Sequence, residues 1–106
     1  MNGIERISAE RKRQIEEECW SASHDAEHTS GQLLLLAACY TLKNYTFADF
    51  EKAIESELDA YWGSDEWIKY TDPIRNLEKA GALIAAEIDR LVLEKINSQL
   101  RGSTAE

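Results

Sequence analysis

The sequence predicts an all-α protein, a compact bundle of four principal helices with short connections. Three observations carry that prediction. Apolar residues recur at spacings of three and four through most of the chain, the period of amphipathic helices. Breakers are few, one proline and five glycines in 106 residues, and Asn44, Gly63 and Pro73 fall between periodic segments. Each segment also opens on a residue suited to capping, in turn Asn2, Ser30, Thr46 and Asp72.

The first helix is expected from about Ile4 to Trp20. Asn2 with Glu5 three residues later reads as a capping box, each side chain satisfying the other's backbone N–H. Ile4, Ile7, Ile15 and Cys19 form its apolar stripe, which Arg11 interrupts. Ser21 to Thr29 has no periodicity and reads as a loop. Ser30 opens a second helix, roughly Gly31 to Lys43, whose run Leu33 to Tyr40 is apolar on every side. Such a helix belongs at the centre of a bundle, and Asn44 suits its left-handed stop.

Thr46 and Asp49 make a second capping box, opening a third helix to about Trp62 with Phe47, Phe50, Ile54, Leu58 and Tyr61 on one face. One further helical turn is expected around Trp67 and Ile68. Asp72-Pro73 is the sharpest boundary, an N-cap followed by proline where its missing N–H costs nothing. The last helix is expected to reach about Gln99, carrying Ile74, Leu77, Gly81, Ile84, Ile88 and Leu91 on one face. Glycine inside a helix costs about 0.8–1.0 kcal/mol relative to alanine, so Gly81 is expected to admit a neighbouring helix closely. Residues 1–101 form one domain and 102–106 are expected to fray.

A chain of this length supports a single core, and 43% apolar with 30% charged residues is the composition of a folded globule. The formal net charge of −8 opposes direct binding to a nucleic-acid backbone, which needs a dense Lys/Arg face. It admits a basic protein partner. Residues 1–18 are charged throughout and Leu33 to Tyr40 is too short to cross a bilayer, so the expectation is a cytoplasmic protein without a membrane partner. Cys19 and Cys39 lie outside any metal-ligand spacing and are expected to be buried, reduced thiols.

Four groups could carry chemistry. His24 and His28, four residues apart with Asp25 and Glu27 between them, are of the kind that binds zinc. No third ligand is marked by spacing, and Asp25 stands where a zincin helix has glutamate, so no metal is assigned and the pair is read as hydrogen-bonding. The acidic stretch Asp49 to Glu66 reads as a solvated face, as a dock for a basic partner through Glu51, Glu55 and Asp59, or as Mg²⁺ ligands. The last would suit an all-α nucleotide pyrophosphohydrolase of the MazG type. Glu16-Glu17-Glu18 before Cys19-Trp20, Glu51 with Glu55, and Glu87 with Asp89 are all off that family's EExxE pattern.

Arg75 and Lys79 stand one turn apart at the start of the last helix, against the preference of the macrodipole. They either pair with acids such as Glu78 or Asp72 or serve an anion drawn to the helix N-terminus. Trp20 and Trp67 either fill the core or stack on a planar base beside those cations.

Two segments carry a resemblance. Ile7 to Trp20 with His24-Asp25-Ala26-Glu27-His28 to Leu33 and Ala37-Ala38-Cys39-Tyr40, together with Arg75 to Leu91, resemble a family of small uncharacterised phage and prophage proteins with the pattern ERxRQIExEGW, HDDxHxxGEL, AAxxY and RxLVKAGALIxAEIERL. Cys19 stands where that family has glycine, and residues 41–70 depart from its tryptophan-rich middle. The resemblance implies a phage accessory protein in the host cytoplasm. By analogy with other small helical phage proteins, it is expected to act without a cofactor, by stoichiometric binding of a phosphorylated small molecule such as a nucleotide signal, and so to counter a host defence. In that reading Arg75 and Lys79 hold phosphate, His24 and His28 donate hydrogen bonds, and Trp20 or Trp67 stacks. A homo-oligomer is expected, because a pocket in a short chain is easier to build between subunits. The alternatives are an acidic inhibitor of a host protein and a metal-dependent pyrophosphohydrolase.

Overall fold

A computed structural model describes residues 1–27, 29, 31–43, 48–62 and 68–104. Its elements are α1 (Gly3–Glu16), α2 (Ala22–Ala26), α3 (Gln32–Leu42), α4 (Ala48–Trp62) and α5 (Pro73–Thr104). Among the described residues there is no strand, and the protein is all-α as its periodicity predicts. None of these helices is long and apolar enough to cross a membrane.

Two of the predicted starts are present in atomic detail. Glu5 N–H donates to Asn2 Oδ1 at 2.9 Å and Asn2 N–H donates to Glu5 Oε1 at 3.1 Å, the reciprocal capping box. Asp72 Oδ1 accepts from Arg75 N–H at 3.0 Å, with Pro73 the first residue of α5. For α3 the N-cap position is Gly31, at φ 84° and without a side-chain cap. Ser30, Asn44, Thr46, Gly63 and Trp67 lie outside the described residues; of the helical turn expected around Trp67 and Ile68, the described part, Ile68 to Tyr70, is not helical.

α1 ends at Glu16, short of the expected Trp20. The reason is a left-handed residue, Cys19 at φ 61°, which turns the chain so that Trp20 N–H donates to Gln14 O at 3.0 Å and the indole enters the core, 8% exposed. Cys19 itself is exposed, which corrects the expectation of two buried thiols; Cys39 is buried. A side chain at positive φ is strained by about 1–2 kcal/mol, while glycine loses about 0.5–1 kcal/mol more backbone entropy on folding. Cys19→Gly is therefore expected to stabilise the protein by about 0.5–1 kcal/mol, read as a raised urea midpoint; a lowered midpoint would contradict the strain. The segment read as a loop contains α2, whose Asp25 is buried and accepts from Arg11 Nη2 at 2.8 Å.

α5 is the axis of the molecule. It packs against α1 on one side and α3 on another, α2 rests on it, and α4 packs on α3. The core consists of Trp20, Leu33, Leu36, Ala37, Cys39, Tyr40, Ala80, Leu83 and Ala86. α3 is central as expected, although Leu34 looks outward because α4 and α5 leave that side of the helix open.

The stripes drawn from periodicity are corrected in both long terminal helices. On α1, Ile4 and Ile15 are exposed and the buried residues are Glu10 and Gln14. On α5 the row Ile74, Leu77, Ile84, Ile88 and Leu91 is exposed, while Asn76, Ala80, Leu83, Ala86 and Glu87 face inward. Alanines at that inner face let helices approach closely and pack at interior density, which branched side chains would prevent. Gly81 does admit a neighbour as expected: an ideal Cβ there would lie 2.5 Å from Ile7 Cδ1. The helix also continues to Thr104, past Gln99 and through residues 102–104, which were expected to fray.

Candidate functional site

The buried polar residues of α1 organise the site. Glu10, Arg13 and Gln14 fall at i, i+3 and i+4 and so share a helix face. Glu10 is 2% exposed. Arg13 grips both of its oxygens, Nε to Oε1 at 2.8 Å and Nη2 to Oε2 at 2.9 Å. Arg75 Nη2 adds a bond to Oε1 at 2.8 Å, and Gln14 Nε2 donates to Oε2 at 3.3 Å.

The network runs outward from there. Arg75 Nη1 donates to Glu78 at 2.8 Å, Arg6 reaches the same carboxylate at 3.3 Å, and Glu18 lies 3.2 Å from Arg13 and 3.5 Å from Lys69. Burial pushes the Glu10 carboxyl up, but the hydrogen bonds and charges of Arg13 and Arg75 outweigh it and hold the group below its ordinary value. Glu10 in turn raises Arg13, and Glu78 is the main cause of the rise at Arg75.

Beside this network is a cavity of about 290 Å³, lined by Glu10, Arg13, Gln14, Glu18, Trp20, Tyr40, Lys69 and Lys79. Lys79 is 8% exposed. Its ammonium donates to Lys69 O at 2.6 Å and lies 5.4 Å from the centre of the Tyr40 ring. Among the described residues no carboxylate stands within ion-pair distance of it. Burial, then the charge of Arg75, pushes its pKa down. Gln14 Oε1 is a buried acceptor with no hydrogen-bond partner among the described residues. Because the amide nitrogen donates to the Glu10 carboxylate, the orientation of that amide follows from the network. Tyr40 Oη accepts from Lys69 N–H at 2.8 Å, and burial raises its pKa, keeping the phenol protonated.

Of the residues singled out from the sequence, Trp20 and Lys79 meet at this cavity. Arg75 does not line it. Its guanidinium is held by Glu10 and Glu78, so the shared grip of Arg75 and Lys79 on one ligand phosphate is replaced by an internal ion pair, the alternative that the i,i+3 spacing to Glu78 offered. His28 and Trp67 lie outside the described residues; His24 belongs to α2, and its side chain is outside them too. Glu51 and Asp59 are on α4 with side chains likewise outside, whereas Glu55 accepts from Tyr70 Oη at 2.8 Å and so braces the fold.

No group of three metal-ligating side chains occurs among the described residues, and Glu87 is paired with Arg90. Sequence reasoning missed Glu10, Arg13, Gln14, Glu18, Tyr40 and Lys69. The one local signal was the gap in the α1 stripe between Ile7 and Ile15, where Glu10 and Gln14 occupy the inward positions.

The arrangement is suited to binding. Lys79 offers a donor to anionic oxygen with Lys69 at the rim, Gln14 offers an acceptor, and Trp20 and Tyr40 provide apolar walls, while Arg13 is held by Glu10, Glu17 and Glu18. Comparison with protein-family models, with curated proteins and with solved structures finds no match to this chain.

Proposed function

We propose that the protein works by stoichiometric binding of a small phosphorylated molecule in the cavity between α1, α3 and α5. The observation that carries this reading is Lys79, a buried ammonium in the cavity wall with no carboxylate partner among the described residues. A buried cation is costly unless paired, and an incoming anionic oxygen would pair it. Gln14 Oε1 adds a second requirement, a ligand N–H or O–H group. A cavity of about 290 Å³ is at the small end of ligand pockets, so a sugar phosphate or mononucleotide fits the reading better than a dinucleotide. Arg75 acts through Glu10, which it holds together with Arg13. In the phage setting suggested by the resemblance, sequestering such a signal would counter a host defence.

Calorimetry with inorganic phosphate, sugar phosphates and nucleoside monophosphates tests the proposal, with Trp20 fluorescence as a second readout. A charge-assisted hydrogen bond contributes about 1.5–3 kcal/mol, so Lys79→Met is expected to weaken binding about ten- to a hundredfold. Wild-type protein that binds none of these at millimolar concentration would sink the reading. Equal affinity in wild type and Lys79→Met would move the site elsewhere.

A further inference from the structure

Lys79 Nζ donates to Lys69 O at 2.6 Å, and this is its single hydrogen bond among the described residues. An ammonium carries three donors, whereas a neutral amine carries two and a lone pair. One acceptor therefore leaves the ammonium short of two partners and the amine short of one. Burial and neighbouring cations are the conditions that turn a lysine into a nucleophile. Burial acts on Lys79 first, then Arg75, Arg13 and Lys69, with Glu10 opposing them.

Tyr40 supplies the complementary group. Its Oη accepts from Lys69 N–H at 2.8 Å, so phenol and amine rest on the nitrogen and the oxygen of one residue. The phenol hydrogen has no acceptor among the described residues, and burial keeps it in place. A nucleophilic amine and a proton donor thus meet in the wall of one cavity.

We infer that Lys79 condenses with a carbonyl group, so that the ligand of this cavity is a phosphorylated aldehyde or ketone. This rests on the ligand reading above and narrows it. Sugar phosphates carry a carbonyl in their open-chain form, while mononucleotides have no free aldehyde or ketone. The amine lone pair forms the bond to the carbonyl carbon. The carbonyl π pair moves to oxygen, which takes the Tyr40 proton, and the phenolate recovers a proton from the new ammonium nitrogen. The hydroxyl then leaves with the last N–H proton as water, and a C=N bond remains. No oxidant or reductant is consumed. Protonated, the imine keeps the positive charge that draws the phosphate, and the half-exposed Lys69 adds a second charge at the rim.

Borohydride trapping tests the inference, with glyceraldehyde 3-phosphate as the probe, intact mass as one readout and peptide mapping as the other. Wild type is expected to gain one reduced adduct per chain, on Lys79, formed at least about tenfold faster than at the exposed Lys95, because only Lys79 is activated by burial and nearby cations. Lys79→Arg keeps the charge and has no amine to condense, so it should lose that adduct while circular dichroism shows unchanged helicity. The wild-type map decides by itself if the variant does not fold. Adducts confined to exposed lysines, or none, overturn the inference. If glycerol 3-phosphate, which has no carbonyl, still binds by calorimetry in that case, the ligand reading survives without it. Trapping at Lys79 by unphosphorylated glyceraldehyde at the same rate would uphold the condensation and remove phosphate from the reading.

Discussion

Replacing Glu10 by alanine is expected to destabilise the protein by about 3–5 kcal/mol, the cost of removing one partner from a buried ionic network. The carboxylate is almost fully covered and accepts from Arg13, Arg75 and Gln14. Its loss leaves Arg13 and Arg75 facing one another across an emptied site, with the more exposed Glu17 and Glu18 beside Arg13 and Glu78 beside Arg75 to offset them. Glu10→Gln should recover part of the loss, since it restores volume and one acceptor without the charge.

The same group sets an acid limit. Its folded pKa is depressed, so its contribution is fully present above the unfolded carboxylate value of about 4.3. The contribution is lost as pH falls through the lower folded value. Urea unfolding of wild type and Glu10→Ala should therefore differ most near neutral pH and converge in acid. A difference that stays constant down to acid pH would show that Glu10 titrates alike in the folded and unfolded chain.

Leu83→Ala is expected to cost about 2–5 kcal/mol, the usual range for emptying a core leucine site. Leu83 is fully buried in the cluster with Leu33 and Leu36 of α3. Against a total stability of roughly 5–15 kcal/mol for a domain, that single change removes a large share. Its neighbour gives the contrast. Ile84 is half exposed, and Ile84→Ala should shift stability by less than about 0.5 kcal/mol. Because the two positions are adjacent, the pair of measurements reports which face α5 turns inward. If Ile84→Ala proves the costlier of the two, the helix is rotated from the orientation described.

What the sequence by itself determined lies within a few residues of its own signals. Asn2 with Glu5, and Asp72 with Pro73, start their helices where they stand, because a cap needs only a side chain and an N–H three positions on. The apolar run of α3 placed it in the core, and Gly81 marked a close approach before Ile7 was known to make it. Lys79 and Trp20 were legible as binding candidates from residue type and position.

The rest was decided only in three dimensions. α5 has two faces with helical apolar spacing, and the choice between them depends on how closely α1 and α3 can approach, which favours the small side chains of Ala80 and Ala86 over the long ones of Ile84 and Ile88. Arg75 could not be assigned from its own helix alone, because one of its partners, Glu10, is 65 positions away. The left-handed turn at Cys19, which no local rule demands of cysteine, is fixed by the burial of the Trp20 indole that it permits.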